Sequence, residues 1–153
     1  MILYERHYNW TPEDTRRDIP FAFCCPSNIK RLLITFTFSP GAEQQPERCE
    51  MAVERALTRY YDRYPRDIQP MQSEQFFPIK NLITLSLEHD GVYLGNAHRW
   101  QTEQVHILTT KHASRGFEPP CAMEGTWAGM LHIHEILSQV CEGYLRVEGS
   151  EDA

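Results

Sequence analysis

The sequence predicts an all-β fold, an antiparallel β-sandwich of jelly-roll type with one inserted α-helix. Three observations carry that expectation. Short runs rich in β-branched and aromatic residues recur along the chain, separated by clusters of Gly, Pro and Asp. One stretch alone, residues 46–64, spaces its apolar side chains at three- and four-residue intervals. The strand–helix–strand alternation that builds parallel sheets is missing. With 153 residues the chain suffices for one core and is short for two, so residues 1–149 are expected to form one domain, followed by a polar tail over 150–153.

The elements follow in order. Residues 19–23 (Ile-Pro-Phe-Ala-Phe) and 32–38 (Leu-Leu-Ile-Thr-Phe-Thr-Phe) read as strands bounded by Pro26, Pro40 and Gly41. Over residues 46–64, Cys49, Ala52, Val53, Ala56, Leu57, Tyr60, Tyr61 and Tyr64 fall on one side of an amphipathic helix. Pro46 stands in its first turn and Pro65 follows its end. Residues 65–78 hold Pro65, Pro70 and Pro78 and read as an irregular connection. Residues 81–87 and 92–94 form a hairpin around Glu88-His89-Asp90-Gly91. In residues 104–110, Val105 and Ile107 alternate with His106 and Leu108. In residues 126–135, Trp127, Gly129, Leu131 and Ile133 alternate with Met130, His132 and His134, and residues 143–148 give the last strand.

Composition narrows the function. Fifteen basic against 21 acidic side chains leave a net charge of −6, which argues against nucleic acid or an anionic membrane surface as partner. Glu5 and Arg6 interrupt the N-terminus before an export signal could form. No apolar run reaches the length needed to cross a bilayer. Five cysteines, an odd number without a Cys-x-x-Cys pair, read as reduced thiols, so a soluble, cytoplasmic protein is expected. Dinucleotide and triphosphate loops and a Gly-x-Ser-x-Gly elbow are all missing. No cofactor and no catalytic residue are therefore expected, and Ser114 near His112 is only a local coincidence.

Two constellations remain. His132 and His134 lie two apart on a strand, so both face one side. With His106 from a neighbouring strand they would share a metal ion in a small cupin-like enzyme. The plainer reading sends Leu131 and Ile133 into the core and both imidazoles to a solvated outer face. The second constellation is His98, Arg99 and Trp100, with Asp90. A guanidinium forks onto carboxylates or phosphates and an indole anchors a ligand, which suits a carbohydrate, a small acid or a protein partner. Here the plainer reading has Trp100 covering the core and Arg99 paired with Asp90 or Glu103.

Several spaced motifs go beyond a generic sandwich. Residues 81–87 (Asn-Leu-Ile-Thr-Leu-Ser-Leu) are followed by Asp90-Gly91, Ala97-His98-Arg99, Gly116-Phe117, Gly125-Thr126-Trp127 and Tyr144-Leu145-Arg146-Val147. That order resembles the N-terminal β-sandwich domain that precedes the catalytic domain in PHP metallohydrolases of the CehA/McbA type. The likeness spans residues 7–149, with Trp10, Phe21, Phe23, Pro26 and the strand over 32–38 fitting its opening and the helix its least comparable part. The family's catalytic His-x-His motif has no counterpart here, because His132-Ile133-His134 falls within the accessory sandwich. The resemblance implies a free-standing, non-catalytic binding or assembly module whose partner is a separately encoded PHP-type hydrolase. Sheet edges and Tyr60, Tyr61 and Tyr64 offer surface for that partner or for a homodimer.

Overall fold

Strand parity and a few buried polar anchors build the molecule, as the computed structural model shows for residues 1–66 and 71–152. Its strands are β1 (Ile2–Trp10), β2 (Asp18–Cys25), β3 (Arg31–Ser39), β4 (Ala42–Glu43), β5 (Ile79–Lys80), β6 (Leu82–His89), β7 (Val92–Ala97), β8 (Glu103–Leu108), β9 (Gly125–Glu135) and β10 (Cys141–Ser150). One helix, α1 (Pro46–Arg63), lies between β4 and β5. The first sheet runs β1-β10-β3-β8 and the second β2-β9-β6-β7, while β4 and β5 pair separately. Every pairing is antiparallel. First strand pairs with last, and apart from the β6–β7 hairpin each long strand is followed by one in the opposite sheet. This winding is the jelly roll that the strand pattern predicts.

Alternation along each strand fills the space between the sheets. Leu32, Ile34, Phe36 and Phe38 of β3 face Ile83, Leu85 and Leu87 of β6 and Trp127, Leu131 and Ile133 of β9, all buried. Phe23 stacks on Trp127 at 6.0 Å, and the indole Nε1–H donates to the Met123 carbonyl at 2.9 Å, so the largest core side chain has its polar atom satisfied. Asp90 and Gly91 both take positive φ, 48° and 78°, as a two-residue hairpin turn of the I′ kind requires.

Three elements differ from expectation. Strand β1 is not legible in the sequence, because as an edge strand it buries only Tyr8 and Trp10 at its end. On β8, Gln104, His106 and Leu108 point inward while Val105 and Ile107 are exposed. The register against β3, with Leu32 opposite Leu108 and Ile34 opposite His106, sets that parity. The free edge of β8 is capped at Ile107, whose N–H donates to Ser114 Oγ and whose carbonyl accepts from Ser114 N, both at 2.9 Å. Strand β10 continues through Ser150, the first residue of the expected tail. Residues 67–70 of the irregular connection lie outside the described residues, and the remainder of it carries a short 3₁₀ turn, Ser73–Phe76.

Helix α1 is held at its first half. Cys49 and Val53 are buried whereas Ala56 and Tyr64 are exposed. The buried carboxylate of Glu43 accepts from Gln45 N at 2.9 Å and Arg48 Nε at 2.8 Å, and Arg48 Nη2 donates to the Leu137 carbonyl at 2.9 Å. No helix among the described residues is long and apolar enough to cross a membrane.

The whole inserted segment is closed by Asn81, which is fully buried. Its backbone N–H donates to Gly41 O at 3.0 Å. Its side-chain Nδ2 donates to Pro40 O at 2.9 Å and Ser138 Oγ at 2.7 Å, and Oδ1 accepts from Leu137 N at 2.8 Å. We expect Asn81→Ala to cost about 2–4 kcal/mol, because it strands a buried N–H and a buried carbonyl without partners. Asn28→Ala, which removes an exposed bond to Glu151, should cost about 0.5 kcal/mol or less. Urea unfolding midpoints of the two variants check the difference.

Candidate functional site

The outer face of the second sheet gathers the polar side chains that the core rejects. Leu131 and Ile133 turn inward on β9, so His132 and His134 turn outward, as the plainer reading expects. Across the β6–β9 ladder Thr84 faces His132 and Ser86 faces Met130. Each imidazole reaches diagonally to a hydroxyl. His132 Nε2 lies 2.9 Å from Ser86 Oγ, and His134 Nε2 lies 2.8 Å from Thr84 Oγ1. Strand β2 places Asp18 opposite His132 on the other side, with Oδ1 2.8 Å from Nδ1. A carboxylate only accepts, so neutral His132 carries its proton on Nδ1 and presents a lone pair at Nε2 to the Ser86 hydroxyl. Thr84 is fully buried and Ser86 nearly so beneath these rings.

His98, just beyond β7, completes the cluster with its ring 5.4 Å from that of His134, which is 6.3 Å from that of His132. Burial, then the charges of His98 and His132, hold the His134 imidazole below its ordinary pKa, while Asp18 opposes the shift.

The third expected metal ligand is elsewhere. His106 belongs to the first sheet and faces the interior, edge-on to Phe117 at 5.1 Å, with Nε2 3.2 Å from Gln104 Oε1. It therefore does not join His132 and His134 on the far side of the second sheet. Among the described residues no three His, Cys, Asp or Glu side chains are grouped to hold a metal ion.

The second constellation is likewise divided. Asp90 stands at the β6–β7 turn, the opposite end of β7 from His98. There its Oδ1 accepts from Thr126 N at 2.8 Å, in a space that a Cβ on Gly125 would invade at 2.6 Å. Asp90 thus ties the hairpin to β9. Arg99 donates to the Arg115 carbonyl at 2.8 Å and forms an ion pair with neither Asp90 nor Glu103. Trp100 does not cover the core; it is 52% exposed, with Lys80 Nζ 5.8 Å from its ring centroid.

Trp100 instead lines a groove of about 570 Å³ between α1 and the end of the second sheet. Val53, Leu57, Phe76 and Ile79 supply apolar wall, and Arg55, Arg59 and Lys80 supply charge. None of these three cations forms an ion pair among the described residues. The one acid in the lining, Glu135, has its carboxyl pushed above the usual range by burial, with Arg16 and Arg59 opposing. The helix pattern holds a trace of this groove, since Arg55 and Arg59 are one turn apart beside the apolar stripe. Asp18, Thr84 and Ser86 leave no such trace, because strand register alone brings them to the histidines. Compared with known families and curated proteins, the chain matches no family model and no curated sequence.

Burial, aided by Arg99, pushes the His106 imidazole down to about 4. Below the ordinary value of about 6.5 the unfolded chain takes up a proton that the folded one refuses, so stability should fall as pH drops from 6.5 toward 4. The full loss is about 3 kcal/mol. Unfolding midpoints across that range should show the slope, and His106→Leu should flatten it.

Proposed function

We propose that this protein is a binding module that captures a small organic anion with an apolar body in the groove between α1 and the second sheet. The observation that carries this reading is the set of cations, Arg55, Arg59 and Lys80, that form no ion pair among the described residues, over an apolar wall that includes Trp100. A carboxylate or sulfonate would meet charge-assisted donors while its hydrocarbon part leaves water against Leu57, Phe76 and Trp100. The small-acid reading thereby keeps Trp100 and replaces His98, Arg99 and Asp90 as ligand contacts. The order of motifs from Asn81 to Val147 supports a wider role, in which the module serves a separately encoded PHP-type hydrolase. The free state of all five cysteines accords with a reduced, cytoplasmic setting.

Titration with 8-anilinonaphthalene-1-sulfonate and with decanoate, followed by calorimetry and by tryptophan emission, tests the groove. Saturable binding at a single site is expected, with the emission change lost in Trp100→Phe. Arg55→Gln/Arg59→Gln should weaken binding at least about tenfold, the scale of one lost hydrogen bond to a charged group. Unchanged affinity in that double variant would overturn the reading.

A further inference from the structure

We infer that Ser86, His132 and Asp18 form a nucleophilic relay that accepts an acyl group from an activated ester. The relay is independent of the groove, whose lining contains none of the three. Its geometry is continuous: Ser86 Oγ to His132 Nε2 is 2.9 Å, and His132 Nδ1 to Asp18 Oδ1 is 2.8 Å. These are the contacts by which a histidine serves as base to a hydroxyl while a carboxylate fixes its tautomer and orientation. Three adjacent strands of one sheet, β2, β9 and β6, hold the members in line, so the arrangement is set before any ester arrives.

The step balances within the site. Ser86 Oγ attacks the ester carbonyl carbon and the hydroxyl proton passes to His132 Nε2. The bond from that carbon to the alkoxy oxygen then breaks, and the departing oxygen takes the proton from Nε2. Water, deprotonated by the same nitrogen, later attacks the acyl carbon; the bond to Ser86 Oγ breaks, Oγ takes the proton back from Nε2, and the acid is released. The developing oxyanion cannot use backbone donors, because β6 is an interior strand whose ladders run to both β9 and β7. Asn96 is the donor the structure offers. It stands directly opposite Ser86 on β7, and its Oδ1 is buried without a partner among the described residues, so no hydrogen bond at that atom opposes turning the amide toward the site. Ser86 is only 9% exposed, which restricts the ester to a small acyl group. Because an activated ester carries a better leaving group than the serine oxygen, acylation should outpace deacylation.

The test uses p-nitrophenyl acetate and the full chain. Peptide mass mapping should place an acetyl group on Ser86, accompanied by a stoichiometric burst of p-nitrophenolate that Ser86→Ala abolishes. His132→Gln should slow acetylation of Ser86 on the order of 10²-fold, and Asn96→Ala should slow it to a smaller degree. Asp18 is a positioning residue and its carboxylate is largely exposed, so Asp18→Asn should fold normally, slow the reaction, and be partly rescued in Asp18→Glu. Acetyl groups found only on lysine, cysteine or tyrosine would overturn the inference, as would equal Ser86 acetylation in folded wild type and His132→Gln.

Discussion

The side-chain amide of Asn81 lies fully buried where three chain segments meet, and its hydrogen bonds decide how the inserted helix sits on the sandwich. Backbone and side chain of this residue hold Gly41 and Pro40, where the insertion leaves the first sheet, while Asn81 itself leads into β6. The same amide fixes Leu137 and Ser138 in the β9–β10 connection. Leu137 in turn accepts from Arg48 and lines the groove. One amide, using donors and acceptor alike, thus couples both ends of the insertion to the sheet that forms the other wall of the site. Were these groups left unpaired in the interior, each would cost more than its bond contributes.

Register does for the outer face what Asn81 does for the insertion. Asp18 and His132 are 114 residues apart in sequence, and His132 and Ser86 are 46 apart, so only the pairing of β2, β9 and β6 makes them neighbours. A one-residue slip of β9 would send both imidazoles inward and expose Leu131 and Ile133. The apolar face of β9 therefore specifies which way the polar one turns, because burying Trp127, Leu131 and Ile133 sends the alternate residues outward. The alignment of polar groups on this face is a by-product of the packing that the core demands.

Much of the architecture was legible because it depends on local pattern. The period-two runs around Leu32, Ile83 and Leu131, the Asp90-Gly91 turn and the helical spacing from Cys49 to Tyr61 each have one local solution. The site was less legible, for physical reasons that differ by residue. His106 alternates with Val105 and Ile107, and either face of such a strand can be apolar, so only the partner strand β3 decides that the imidazole goes inside. Trp100 lies three residues beyond the end of β7, where strand parity no longer applies, and it turns to the groove instead of the core. Arg99 found a carbonyl in place of an acid. Ser86 and Thr84 sit in an apolar run as small polar residues that any strand tolerates, and no sequence signal distinguishes them from solvated hydroxyls.

The bonds between Ser114 and Ile107 have a consequence for how copies of this protein behave beside one another. Strand β8 ends the first sheet and presents Val105 and Ile107 to solvent, the kind of apolar border along which sheets of separate molecules zip together into fibres. Ser114 occupies the donor and acceptor of Ile107 that an incoming strand would need. A single hydroxyl and its backbone N–H thereby remove one rung from the ladder such a strand would build, while leaving the apolar side chains in place.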